Sequence, residues 1–387
     1  MKKLEKYLAF GTPDFTELEI DAVARVMRSG WVGMGAETIA FEKELAEYIG
    51  APEVVTVNSC TSALFLALLV EGVESGDEVI VPSLTWCATA NAALYLGATP
   101  VFCDVDPNSM CVTPEAVIEK LTPRTKAVIV VHYGGYAIDV DALRNALPAN
   151  VIIIEDAAHA LGGTHGNGKR VGASGNSVCF SFYANKNLST ADGGAIALFD
   201  IDKAERLRSL RMSGMNSHAW SRYTQPSTSV VAAVSKLGYK MNYTDLQAAI
   251  GRVQLKRLDE MSIVRQKIAQ RYRARLDEAE VDIPFQSQVF DSGHARHLLV
   301  GCIDSLKTGI ARDKLLMELR NQNIGASIHY QPLHTQPLYY DKAASKLSVT
   351  DLLAEQIITL PISAKMTFDD VDYVVENLAV ITSSGRK

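Results

Sequence analysis

This 387-residue chain has no cysteine pair at metal-binding or redox spacing. Its six cysteines (Cys60, Cys87, Cys103, Cys111, Cys179 and Cys302) are scattered, with no CxxC pair and no Cys/His cluster. No metal is therefore expected, and the thiols read as small buried hydrophobes in a reducing compartment. Positive charge is not in excess either. Lys plus Arg number 38 against 44 Asp plus Glu, a formal net charge of −6. A mildly acidic chain without a long basic run lacks the footprint of nucleic-acid or membrane-surface binding. No apolar run approaches the ~20 residues that a spanning helix needs. Ala127–Val131, for example, has only the length of a strand. The basic opening Met1–Lys6 is followed by neither a long apolar stretch nor a small-residue cleavage site, so the cytoplasm is the expected compartment. Several motifs are missing as well: GxGxxG after a strand, GxxxxGK[ST], GxSxG and HExxH. The glycine-rich stretch Gly162–Arg170 fits none of these spacings and reads as a surface hairpin.

What is present is an alternation of helical and strand patterns. Helices are expected over Glu17–Ser29, Glu37–Ile49, Ser62–Glu71, Thr89–Leu96, Pro114–Lys120 and Val140–Ala146. Between them lie short Val/Ile-rich runs at Val54–Val57, Glu78–Val81, Thr99–Cys103, Ala127–Val131 and Val151–Ile154, with two more at Val178–Phe182 and Ala195–Phe199. Continuous apolar strands separated by helices predict an α/β fold, a mostly parallel sheet covered on both faces. A long helix is expected to begin near Gly238–Ile250 and run through Arg275. Beyond it, charged helices with strands at Arg296–Cys302 and Ala326–Tyr330 predict a smaller C-terminal α+β domain. The expected division is a large domain over 1–255 and a small one over 256–387.

In parallel sheets, function gathers at the carboxyl ends of the strands. The run Val151–Ile154 leads straight into Glu155 and Asp156, and a carboxylate there is costly unless a cation or donor meets it. Taken alone, Asp156 would serve equally as a helix cap or as half of a buried ion pair. Lys186 follows the run Val178–Phe182 among small polar neighbours, a setting in which a desolvated lysine becomes a nucleophilic amine; a solvated surface lysine is the plainer alternative. Asn58-Ser59-Cys60-Thr61-Ser62 opens onto a helix and offers free amides and hydroxyls to a phosphate, or a simple cap. Trp86, just past another strand, is either a core aromatic or a platform for a flat ring. Together these make a ring platform, a phosphate cradle, an anion for a ring nitrogen and an amine for an aldehyde. Pyridoxal phosphate demands that set of parts.

The chain resembles the sugar-nucleotide aminotransferases of the DegT/StrS group, which are fold-type-I pyridoxal phosphate enzymes. The resemblance runs from Ser29-Gly30-Trp31-Val32-Gly33-Met34-Gly35 to the last helix. It is carried most strongly by Glu155-Asp156-Ala157-Ala158-His159-Ala160-Leu161-Gly162 and by Phe180-Ser181-Phe182 with Lys186 and Gly193-Gly194. Thr99–Asp106, Thr244–Gly251 and His329-Tyr330-Gln331-Pro332-Leu333-His334 add to it. Pro82–Trp86, Val131–Gly135 and His218-Ala219-Trp220 are most similar to the branch that aminates C4 of UDP-linked 4-keto sugars.

The resemblance implies that Lys186 takes the cofactor's aldehyde and shuttles the proton, Asp156 meets the pyridine nitrogen, Trp86 stacks on the ring and His159 lies beside its phenolic oxygen. Thr61, Ser62 and Ser181 would hold the phosphate. Trp31, His329 and Tyr330 would contact substrate. In many relatives a Gly-Tyr-Asn-Tyr-Arg stretch enters the neighbouring subunit's phosphate site. Here it reads Gly238-Tyr239-Lys240-Met241-Asn242, so Lys240 or Asn242 would make that contact in a homodimer. The implied reaction moves an amino group from L-glutamate, through the pyridoxamine form of the cofactor, to a nucleotide-linked keto-sugar in polysaccharide biosynthesis. A sugar dehydratase is the runner-up, and a cofactor-binding regulatory protein without turnover the alternative of another class; Lys186 stands against the first.

Overall fold

The structure, a computed structural model, describes residues 3–215, 233–342 and 346–385. His218, Ala219 and Trp220 lie outside them. Seven strands form the main sheet: β1 (Glu53–Val57), β2 (Glu78–Pro82), β3 (Thr99–Cys103), β4 (Thr125–Val131), β5 (Ile152–Asp156), β6 (Ser177–Ser181) and β7 (Gly194–Leu198). Their order is β1-β7-β6-β5-β4-β2-β3. Only β7 runs against its neighbours, antiparallel to both β1 and β6; all other pairs are parallel. β2, β6 and β7 are buried along their whole length, as unalternating apolar strands require when helices cover both faces.

The covering helices follow their sequence signals closely. α1 (Glu17–Ser29) starts at a capping box made by Thr16 and Glu19 and stops at Gly30, whose φ of 76° suits glycine. α2 (Ala36–Ile49) precedes β1, α3 (Cys60–Val70), α4 (Cys87–Leu94), α5 (Pro114–Ile118) and α6 (Val140–Ala146) fill the connections from β1 to β5, and α7 (Ile201–Leu210) follows β7. α3 is apolar all round because it packs under the sheet, and all its residues from Ser62 to Leu68 are buried. Gly162–Arg170 forms the expected tight turn: Thr164 bridges Arg170, and the His165 amide donates to the Lys169 carbonyl at 2.8 Å.

α8 (Asp245–Glu278), 34 residues long, opens with a second capping box from Thr244 and Gln247. Ala248, Leu255, Leu258 and Met261 pack into the core that holds Phe41, Phe180 and Phe182. Ile268, Ala269, Tyr272 and Leu276 belong instead to the C-terminal core, with Leu315, Ile358, Leu360 and Val374. The chain thus passes from one core to the other inside a single helix, and the expected division at residue 255 falls within it.

The C-terminal part carries α9 (Ser305–Thr308), α10 (Arg312–Asn321), α11 (Ser348–Gln356) and α12 (Phe368–Gly385) around a two-stranded antiparallel sheet, β8 (Leu299–Cys302) and β9 (Ile357–Leu360). Here the sequence expectation needs correction. Ala326–Tyr330 is not a strand: it makes one bridge, Ser327 to Thr359, and β9 takes the ladder position beside β8. The expected strand at Arg296 also begins three residues late, at Leu299.

One buried ion pair fixes the edge that matters. Arg211, fully buried, pairs with Glu42 and donates to the Thr56 carbonyl at 2.6 Å, while Glu42 accepts from the Thr56 amide at 2.9 Å. That anchors the carboxyl end of β1, from which the turn at Asn58–Thr61 emerges. The Arg211 carbonyl also accepts from the Met241 amide at 3.0 Å, holding the Gly238–Asn242 segment against the same edge.

Candidate active site

A cavity of about 460 Å³ opens at the carboxyl edge of the sheet. Its walls come from the turn after β1 (Ser59, Cys60, Thr61), the segment after β2 (Thr85, Trp86), the end of β5 and the turn beyond it (Asp156, Ala158, His159) and the end of β6 and the segment beyond it (Ser181, Tyr183, Asn185, Lys186). His329 and Tyr330 close it from the C-terminal part. The ladder registers align these ends: Val131 faces Asp156, and Gly194 lies opposite both Val57 and Ser181. A Cβ on Gly194 would stand 2.6 Å from the Cys60 amide nitrogen and 2.7 Å from the Phe180 carbonyl, so any side chain there would displace the turn after β1.

Asp156 forms part of the cavity lining and is buried. Its Oδ2 accepts from the Thr89 hydroxyl at 2.8 Å and its Oδ1 from the Ala158 amide at 3.2 Å. Among the described residues no cation forms an ion pair with it. Burial pushes this carboxyl above its usual range, opposed by the Thr89 hydroxyl, the Ala158 amide and the charge of Lys186. A carboxylate so placed is short of a positive partner, and a protonated ring nitrogen supplies one.

Lys186 lines the same cavity and is partly exposed to it. Desolvation pulls its ammonium down to about 8, against weaker opposing pulls from Cys60 and Asp156. At that value a sizeable fraction is free amine near neutral pH, where an ordinary lysine has almost none. Its Nζ lies 3.3 Å from Nε2 of His297.

His159 lines the same cavity. Its Nδ1 accepts from the Gly134 amide at 3.3 Å, which leaves the ring proton on Nε2, 3.1 Å from the Tyr330 hydroxyl. Burial, reinforced by the charge of Lys186, holds its pKa well below the ordinary value, so the ring is neutral. Tyr330 also meets Trp86, with ring centroids 5.6 Å apart. Trp86 is 58% exposed and lines the cavity, so it is not a core aromatic. His334 ties the two segments together: its Nδ1 is 2.6 Å from the Ser83 hydroxyl and its Nε2 is 2.9 Å from Asp351.

The cavity gathers most of the residues singled out in the sequence, though not all. Thr61, Ser181, Trp86, Asp156, His159, Lys186, His329 and Tyr330 line it. Ser62 does not. Its hydroxyl donates to Asn58 Oδ1 at 2.7 Å and its amide to the Ser59 hydroxyl at 3.1 Å, so it serves the start of α3. Cys60 and Thr61 line the cavity in its stead, at the helix end where first-turn amides lack intrahelical acceptors. Trp31 donates from Nε1 to the Met34 carbonyl at 3.2 Å, outside the cavity. Lys240 is exposed and Asn242 donates to the Tyr243 carbonyl at 2.9 Å; neither lines the cavity of its own chain. His297 was missed altogether. It precedes β8 at the strand's amino end, where a search of carboxyl ends does not look. All six thiols are free; Cys103, Cys111 and Cys179 are buried, while Cys60, Cys87 and Cys302 are partly so.

A lysine of lowered pKa, a buried carboxylate with no ion-pair partner among the described residues, an exposed tryptophan and a helix start meet at one sheet edge, an arrangement suited to pyridoxal phosphate. The parts fit the group: an amine for the aldehyde, an anion for the ring nitrogen and amides for the phosphate. Residues 13–379 match the model of the DegT/DnrJ/EryC1/StrS aminotransferase family, and the chain belongs to that family. It is 41% identical over 383 residues to the spore coat polysaccharide biosynthesis protein SpsC of Bacillus subtilis, covering 97% of each chain. Among solved structures it is similar to the putative sugar aminotransferase Spr1654 of Streptococcus pneumoniae in its PMP form (TM-score 0.88, 30% identity, 97% of this chain and 99% of that one). It is also similar to DesI, solved in the presence of its TDP-sugar product (TM-score 0.88, 26% identity, 99% and 95%). The cofactor is pyridoxal phosphate, as in the aminotransferases of this family.

Proposed function

We propose that this sugar aminotransferase moves an amino group from L-glutamate to the keto carbon, at C4, of a nucleotide-linked keto-sugar. The observation that carries the reading is Lys186: a partly buried amine of lowered pKa in the cavity that also holds the carboxylate of Asp156. The nucleotide-linked substrate is supported by DesI, solved with its TDP-sugar product, and a role in polysaccharide biosynthesis by the Bacillus relative. The proposed compartment is the cytoplasm, in keeping with six free thiols; among the described residues no helix is long and apolar enough to cross a membrane.

Pyridoxal phosphate, when bound, supplies the aldehyde that takes up the amino group and the ring that draws electrons from the reacting carbon. Asp156 keeps the ring nitrogen protonated by meeting it with a buried negative charge. Lys186 takes a proton at Nζ from one carbon and returns it to another, a task suited by a pKa near working pH. Neutral His159 and Tyr330 hold a hydrogen-bonded pair over the floor, and Trp86 covers the flat face. The amides at the start of α3 and the hydroxyls of Thr61 and Ser181 receive the phosphate. Incubating the cofactor-loaded protein with L-glutamate should release one 2-oxoglutarate per site and bleach the yellow colour. Adding UDP- or TDP-linked 4-keto sugars should then give an amino-sugar nucleotide by mass spectrometry, with nitrogen on C4 by NMR. A loaded protein that releases no 2-oxoglutarate would reject glutamate as donor, and nitrogen on C3 would reject the position.

We further propose a homodimer in which Lys240 or Asn242 completes the partner's phosphate site, with Trp31 contacting substrate there. Both residues lie outside their own cavity, and the segment before them exposes apolar side chains, Leu237 at 84% and Val234 at 69%, as an uncovered interface does. Lys240→Glu should weaken cofactor binding and lower the melting temperature, with added cofactor restoring part of the loss by mass action. An effect confined to Asn242→Ala would assign the contact to that residue. A monomer by sedimentation that holds its cofactor stoichiometrically would refute the shared site.

A further inference from the structure

We propose that His297 is a positioning residue for the transfer: its Nε2 accepts a hydrogen bond from Lys186 Nζ and thereby sets the direction and proton affinity of that amine. The inference rests on Lys186 being the amine that takes the cofactor. Nε2 and Nζ are 3.3 Å apart, and His297 is only 4% exposed, so the imidazole is shielded from water while Nζ borders the cavity. Two basic groups this close disfavour each other's charged form. Lysine is the stronger base by about four pH units in water, so the proton resides on Nζ. The imidazole then stays neutral, turns an Nε2 lone pair toward the amine and carries its own proton on Nδ1, an atom with no hydrogen-bond partner among the described residues.

The surroundings keep the ring neutral. The His159 ring lies with its centroid 4.6 Å from that of His297, and it is itself neutral. Behind His297 stands Arg265, a buried guanidinium that donates to the carbonyls of Arg296 and Ile362 at 3.3 and 3.2 Å and meets no carboxylate among the described residues. Burial is the main obstacle to a second proton on His297, and the charges of Lys186, of any protonated His159, of Arg265 and of any protonated His329 add to it. On the other side, Asp156 and Cys60 are the groups that favour the charged form of Lys186. His297 is thus a neutral acceptor that favours the ammonium formed each time Lys186 picks up a proton. It also keeps Nζ in one place while the amine is free.

Two measurements test this, one on the wild-type protein. With histidine-selective nitrogen-15 labelling of the cofactor-free protein, His297 should show the Nδ1–H tautomer at neutral pH; the Nε2–H tautomer would overturn the proposal. The second reads the amine. The initial rate at which Lys186 captures added pyridoxal phosphate, trapped with borohydride and quantified by peptide mass spectrometry, should follow its deprotonation. His297→Asn keeps a polar side chain too short to reach Nζ, and should lower the midpoint by about one pH unit, a tenfold loss of proton affinity. His297→Gln places an amide oxygen near the Nε2 position and should restore the midpoint to within a few tenths of a unit. An unchanged midpoint in the Asn variant, or equal shifts in both, overturns the proposal. Absence of any trapped label on Lys186 in the wild type defeats the lysine assignment and this inference with it, whereas normal capture with an unchanged midpoint defeats this inference alone.

Discussion

Lys186→Ala should abolish transamination while leaving a folded protein that still binds pyridoxamine phosphate. The phosphate amides, the Asp156 carboxylate and the Trp86 face are untouched by the change, and the pyridoxamine form needs no lysine to hold it. The reaction loses its proton carrier, a contribution of roughly two to four orders of magnitude for a single positioned acid–base group, and it also loses the amine that takes the aldehyde. Turnover should therefore fall by about ten-thousandfold, the upper end of that range. Borohydride reduction of the wild-type protein in the presence of pyridoxal phosphate, followed by peptide mapping, should put the label on Lys186. A label on another lysine would falsify the assignment.

Asp156→Asn should cut turnover and raise stability in the same molecule. The substitution keeps shape and removes charge, so the ring nitrogen is protonated less often. Losing a buried charge-assisted hydrogen bond costs on the order of 2–3 kcal/mol, roughly a hundredfold in rate when all of it falls on the transition state. Stability moves the other way in the absence of cofactor. Burial raises the carboxyl's pKa in the folded protein, so folding favours its neutral form, and the ionised form destabilises the fold once pH exceeds the ordinary carboxylate range. Asparagine is a permanently neutral mimic. The cofactor-free variant should melt above the cofactor-free wild type at neutral pH, and the difference should shrink as pH falls through the carboxylate range. Added pyridoxal phosphate should narrow or reverse the order, because only the aspartate gains a partner. Calorimetry with and without cofactor reads both effects, and an unchanged turnover would reduce Asp156 to a cap.

The parts of the fold legible in the sequence are those where apolar continuity meets an abrupt stop. β5 is a run of three isoleucines that ends on Glu155 and Asp156, so both the strand and its charged end stand out. Lys186 was legible for the same reason, lying a short way beyond a fully buried strand. β9 was not. Ile357–Leu360 follows α11 directly, with no glycine or proline to announce a change of period, and four apolar residues after a helix read as more helix. Ala326–Tyr330 has the composition of a strand, but Tyr330 is held by its hydroxyl at His159 rather than by a ladder. Ser62 shows the limit of motif reasoning: a Ser/Thr-rich helix start serves as cap and as cradle at once, and only coordinates divide the labour. His297 is one histidine beside an apolar run, with no spacing signal at all. Its meaning comes from Lys186, 111 positions earlier in the chain.

The unbroken course of α8 bears on how the molecule works as a mechanical object. A helix of 34 residues is about 50 Å long at the usual rise per residue, and here one half is embedded in each core. Bending occurs at a few loop or terminal residues able to absorb large changes in φ and ψ. A capped helix with side chains buried from Ala248 to Leu276 offers no such joint. The two cores are therefore splinted together, and a bulky substrate is not admitted by swinging one away from the other. Adjustment falls to short segments such as Ser83–Trp86 and His329–His334, which His334 already links as one piece. Choice of sugar can then drift through these borders without disturbing the frame that aims Lys186 and Asp156.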